Sequence, residues 1–158
     1  MVKTLRSLLT VSLVLSMLLL INSCAYFKLK KLDKSNLSNN SFHSILAKEY
    51  KDFAKNELYE MHDEIDANYF AFKALRALNE KNVYLENPND WNLTNDNLKE
   101  ALKYYSDLKK IITDENYLIY KSELAKIISG FDCWIEQLEE NWQTEDIKKC
   151  KNKFLKNY

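Results

Sequence analysis

One glycine, Gly130, and one proline, Pro88, in 158 residues leave this chain almost without the residues that make tight turns. A sheet protein of this length reverses direction many times and needs such residues at its reversals. The folded part is therefore predicted to be all-α, with helices joined by a few longer connections. The length suits a single core and leaves no room for a second domain of ordinary size. Basic and acidic side chains balance, 23 Lys+Arg against 23 Asp+Glu, so nothing marks a surface built for nucleic acid.

The N-terminus carries a different signal. Lys3 and Arg6 precede Leu8 to Ile21, a run of apolar and hydroxyl side chains, and then come Asn22, Ser23 and Cys24. As a helix the run spans about 21 Å, short of the roughly 30 Å of bilayer hydrocarbon, so a secretory signal is expected over residues 1–23 rather than a membrane span. Ile21-Asn22-Ser23-Cys24 resembles the lipobox of bacterial lipoproteins, in which the cysteine is acylated and becomes the new N-terminus. That resemblance implies lipidation at Cys24. Ala25, rather than Asp, in the next position implies the outer membrane. Several acyl chains make such an anchor durable, because one chain alone attaches only marginally. Residues 24–40 contain Lys28, Lys30, Lys31 and Lys34 followed by Ser and Asn, and read as a polar tether whose lysines could touch anionic headgroups.

From Ser41 onward, residues 41–158 read as one helical domain. Ser41 caps a first helix with Phe42, Ile45, Leu46, Tyr50, Phe53 and Ala54 on its apolar face, ending near Met61. Asp63 caps a second, with Ala67, Phe70, Ala71, Ala74 and Leu75 inward. The stretch from Asn79 to Asn92 breaks the pattern around Pro88 and is expected to pin itself to the core through Val83, Tyr84, Leu85 and Trp91. Thr94 or Asn95 caps a third helix. One long helix from Glu115 to about Asn141 and a short last one after Thr144 bring the total to about five, in antiparallel hairpins that are loosely tetratricopeptide-like.

Cys133 and Cys150 flank the turn at Trp142 to Thr144, and a returning helix carries the second sulfur past the first. In an exported chain the pair is expected to form a disulfide worth roughly 3 kcal/mol; two free buried thiols are the alternative. No metal or cofactor is expected. Glu57, His62 and Asp66 have a spacing that chance supplies often, without an HExxH or Glu-x-x-His pattern. Catalysis by either cysteine would need a free thiolate and a base, and only His43 and His62 are available. Glu136 and Glu140 share a helix face beside Trp134 and near Trp142, which with Gln137 suggests an acidic, aromatic-lined interaction surface.

Two stretches carry a resemblance over most of the folded part. Asp66-Ala67-Asn68-Tyr69-Phe70-Ala71-Phe72-Lys73-Ala74-Leu75 and the run from Phe131 through Cys133, Trp134, Glu136, Gln137, Glu139, Glu140 and Asn141 to Gln143 are similar to the helical N-terminal region of proteobacterial OmpA-family outer-membrane lipoproteins. Pro88-Asn89-Asp90-Trp91 lies between them, where that family has a Pro-x-x-x-Trp loop, with one residue fewer between the proline and the tryptophan. Longer members continue into an OmpA-like domain that grips peptidoglycan, whereas this sequence ends at Tyr158, so that activity is not carried across. The resemblance implies an outer-membrane lipoprotein of a Gram-negative bacterium, facing the periplasm. As a noncatalytic helical module it would meet an envelope protein or peptidoglycan as partner. The alternative is an envelope enzyme acting on peptidoglycan glycan or peptide through Glu136 and Glu140.

Overall fold

The computed structural model describes residues 23–38, 40–79 and 84–158. The expected leader lies outside them, apart from Ser23. The described residues form seven α-helices and no strand: α1 (Ser23–Asp33), α2 (Phe42–Asn56), α3 (Glu64–Leu78), α4 (Asn95–Ile111), α5 (Asp114–Ile119), α6 (Lys121–Glu140) and α7 (Thr144–Asn157). A π-helical turn, Glu57–Met61, finishes α2, and a 3₁₀ turn, Pro88–Asp90, lies in the connection before α4. No helix among the described residues is long and apolar enough to cross a membrane.

Helix starts follow the side chains that supply the missing acceptors. Ser41 Oγ accepts from the Ser44 N–H at 3.2 Å, Asp63 Oδ1 from Ile65 and Asp66 at 2.8 and 2.9 Å, and Thr94 Oγ1 from Asn97 at 3.4 Å. Two helical segments end on left-handed residues, His62 with φ 59° and Asn141 with φ 55°. His62 closes the π-turn and lets α3 fold back on α2, with Phe53 and Phe70 rings 4.4 Å apart between them.

The centre of the molecule is α6. Every residue from Ile127 to Leu138 on it is buried, because α2 covers one side, with Lys73 of α3 reaching Asp132, while α7 and aromatic side chains of α4 cover the other. Its partner α7 returns antiparallel, and the expected Cys133–Cys150 disulfide joins the two with Cα atoms 5.5 Å apart. One turn away on the same seam lies Gly130. A Cβ there would come within 2.8 Å of the Phe154 backbone nitrogen and 3.0 Å of its Cα. The one glycine thus serves close helix approach, and the helix-propensity cost of about 1 kcal/mol is offset by the contact it allows.

Two expectations need correction. The segment read as a polar tether is helical over Ser23–Asp33, with Ala25, Leu29 and Leu32 at most 2% exposed against the core. Their spacing of four and three makes a narrow stripe, and the intervening lysines conceal it. The long helix expected from Glu115 is also two helices. Tyr120, at φ −110° and ψ 44°, breaks it, since α5 has no buried residue and is held instead by Tyr117 stacking on Phe42 at 4.2 Å.

Replacing Gly130 by Ala should lower stability in urea unfolding by about 1 kcal/mol or more, since overpacking costs about 1–3 kcal/mol and outweighs the gain in propensity. A midpoint that rises would mean that α7 shifts aside freely.

Candidate functional site

Three polar residues of α6, Asp132, Glu136 and Gln137, point inward, and they build two adjoining sites. The first is centred on Lys73 of α3. Its ammonium donates to Asp132 Oδ2 at 2.6 Å, to the Tyr84 carbonyl at 3.0 Å and to Glu86 Oε1, which uses all three of its hydrogens. Asp132 also accepts from the Tyr50 hydroxyl and, at 2.9 Å, from the Glu86 N–H. Glu86 accepts in addition from the Tyr69 hydroxyl at 2.8 Å and Trp91 Nε1–H at 3.1 Å. The Tyr50 ring centre lies 5.0 Å from the ammonium. Burial, and then the Asp132 charge, lift the Tyr50 hydroxyl well above its ordinary value, so Tyr50 stays a donor.

Every hydrogen-bonding group of this network is satisfied, which identifies it as a clamp. It ties the connection from Tyr84 to Trp91 onto α3 and α6. Above it an open groove of about 540 Å³ is lined by Tyr69, Phe72, Arg76, Tyr84, Asp90 and other residues. Its rim carries two exposed aromatic rings, Phe72 on α3 and Tyr84 on this connection; Tyr84, expected as a pin onto the core, stands in solvent.

The second site gathers acids. Glu57 on the π-turn and Glu136 on α6 share the Gln137 amide, which donates to Glu57 Oε1 at 3.4 Å and to Glu136 Oε2 at 3.0 Å. Glu57 Oε2, Glu136 Oε1 and Gln137 Oε1 have no partner and are buried. Burial first, then the charges of Glu140, Asp66 and Asp63, push Glu57 up to about 8. Burial and the Glu57 charge push Glu136 to about 10, and burial with the Asp63 charge takes Asp66 to about 6. At neutral pH Glu136 is therefore a protonated acid. It is closed to a substrate, being 1% exposed.

This placement corrects the expected interaction surface. Trp134, Glu136 and Gln137 are each 1% exposed and belong to the interior; Glu140 is half-buried and Trp142, at 70%, is open. Alternating polar and apolar residues on α6 resemble a solvated face, yet from Ile127 to Leu138 the helix is covered on all sides. Trp134 packs among Tyr104, Phe131 and Phe154, with Lys151 Nζ 4.8 Å from its ring centre. Among the described residues no three His, Cys, Asp or Glu side chains are arranged to hold a metal, and His62 serves as the left-handed cap. The signal that could have located the clamp was the pairing of Lys73 with Asp132, each on an otherwise apolar face.

No protein-family model, curated protein or solved structure matches this chain.

Lys73→Met leaves Asp132 and Glu86 buried together without their cation, and should cost about 3–5 kcal/mol in urea unfolding, with a change in Trp91 fluorescence as the connection loosens. An unchanged midpoint would remove the clamp from the account. The acid cluster sets a pH dependence of opposite sense to that of ordinary ion pairs. The folded values exceed the unfolded ones, so the folded state binds more protons between about pH 5 and 10. The contribution to stability is complete below the ordinary carboxylate range and is lost as pH rises through the folded values. The urea midpoint should fall from pH 5 to pH 9, and Glu57→Gln with Glu136→Gln should flatten that slope. A midpoint that climbs across this window contradicts the assignment.

Proposed function

We propose that this chain is an exported helical module of a Gram-negative envelope, lipid-anchored through Cys24 to the outer membrane and facing the periplasm. It is noncatalytic and meets another envelope component, a protein or peptidoglycan. The observation that carries the reading is the division among three cysteines: Cys133 and Cys150 are joined, while Cys24 is free and exposed. A stable disulfide suits an oxidising compartment. Cys24 directly follows the apolar segment and the Ile21-Asn22-Ser23 triplet. The resemblance to the helical region of OmpA-family lipoproteins supports the outer membrane as the destination. The groove over the connection between α3 and α4, with Tyr84 72% and Phe72 49% exposed, supports a binding role. The sealed position of Glu136 speaks against acid–base work on a sugar.

In the native cell, labelled palmitate should enter the wild-type protein and not the Cys24→Ser variant, which should leave the outer-membrane fraction. Both forms should resist thiol labelling at Cys133 and Cys150 until reduced. Recovery of an unacylated precursor with reactive thiols from the cytosol would overturn the proposal, as would a peptidoglycan-hydrolysing activity lost in Glu136→Gln with Glu140→Gln.

A further inference from the structure

The expected tether is a docked helix, and that changes what lies next to the anchor. Successive residues turn about 100° around a helix axis, so Ala25, Leu29 and Leu32 fall on one face of α1 and are buried. The opposite face presents Phe27, 62% exposed, together with Lys30, Lys31 and Lys34. Lys34 still belongs to this face, because its N–H reaches the Lys30 carbonyl at 3.3 Å. Tyr26, 47% exposed, lies at the edge, its ring edge-on to that of Phe27 with centres 5.9 Å apart. Cys24 precedes Phe27 by three residues and Lys31 by seven, which puts it on the same side.

The charges on α1 are sorted as well. Its only acid, Asp33, turns toward α2, where Lys55 and Lys51 hold it at 2.8 and 3.4 Å. Lys28 turns toward α3 and donates to Asn68. Among the described residues no carboxylate pairs with Lys30, Lys31 or Lys34; Lys30 lies 5.7 Å from the Tyr26 ring centre. The outward face is therefore cationic, with two aromatic rings in it and a free cysteine at its start.

We propose that this face of α1 lies directly on a bilayer with anionic phospholipid headgroups. Tyr26 enters the interfacial layer, where amphipathic rings are favoured, Phe27 buries its apolar ring at the acyl boundary beside it, and the three lysines meet the phosphates. The inference rests on acylation of Cys24, which supplies the proximity. It adds a fixed orientation: a helix about 16 Å long lying flat holds the domain at the surface instead of swinging on a spacer. The occupant is a lipid surface because the aromatics, the unpaired cations and the anchor site coincide on one short helix.

The test uses the full, acylated protein in vesicles of phosphatidylglycerol and phosphatidylethanolamine, with pulse acetylation of lysines read by mass spectrometry. Each lysine at an anionic surface shifts occupancy about fivefold, so Lys30, Lys31 and Lys34 should react at least about fivefold more slowly than Lys99 and Lys148. Phe27→Glu, with the acyl chains retained, should return them to the reference rate. An acylated chain whose α1 lysines react as fast as the references overturns the lipid contact and leaves the anchor standing. Protection seen only in intact envelopes, and not on vesicles, assigns the face to a protein and also overturns it. Intact mass in the same samples reports acylation, and an unmodified Cys24 brings down the anchor and this inference together.

Discussion

A single ammonium, that of Lys73, decides how four parts of this protein meet. Placing a charge out of water costs several kcal/mol unless its hydrogens and its counter-charge are all supplied. Here α6 supplies Asp132, the connection before α4 supplies Glu86 and the Tyr84 carbonyl, and α2 supplies the Tyr50 ring and hydroxyl. Two carboxylates facing one ammonium leave an excess of negative charge. That excess explains why four further donors converge: the Tyr50 and Tyr69 hydroxyls, the Trp91 indole N–H and the Glu86 backbone N–H. Shift any one element by a residue and a buried charge loses a partner. Apolar stripes tolerate such slippage better than this clamp does, so the clamp sets register while the stripes supply the burial.

Much of this was legible in the sequence where one residue has one local job. Ser41, Asp63 and Thr94 are caps because a short side-chain oxygen satisfies an N–H two or three residues on, and no tertiary contact competes. The sulfur pair was legible because the chain reverses between Cys133 and Cys150 and brings the second sulfur back past the first. What could not be read is how many sides of a helix are covered. The polar positions Asp132, Glu136 and Gln137 give α6 the periodicity of a half-exposed helix, and only the third dimension shows that α2, α3, α4 and α7 enclose it. The stripe of Ala25, Leu29 and Leu32 fails for the converse reason: three small or medium apolar residues among lysines fall below what a pattern can distinguish from chance. The break at Tyr120 has no glycine or proline to announce it, and follows from a tertiary ring stack at Tyr117.

The stretch from Phe131 to Gln143 looks like a catalytic signature, being rich in acids, aromatics, a cysteine and amides. Residue by residue it is structural. Phe131 and Trp134 pack in the core, Asp132 accepts from Lys73 and Tyr50, and Cys133 makes the disulfide. Glu139 accepts from the Asn92 N–H at 2.9 Å and thereby holds the far end of the connection before α4. Glu140 accepts from the Gln143 amide at 3.2 Å across the turn, and Asn141 takes the left-handed conformation that ends α6. Asparagine tolerates that conformation at less cost than most side chains.

Interior and exterior chemistry therefore divide cleanly. The ionisable groups that sequence patterns single out are used to hold α6 in place, and where they are left over, at Glu57 and Glu136, burial keeps them protonated and inaccessible. What remains on the surface is side chains that the fold does not consume. They include aromatic rings standing in solvent, Phe27 on α1, Tyr84 on the connection between α3 and α4 and Trp142 after α6, together with Lys30, Lys31 and Lys34, which pair with no carboxylate among the described residues. Because α1 is packed on α2 and α3, its outward face and the groove over the clamp are fixed relative to one another. Whatever holds α1 consequently sets the direction in which that groove opens.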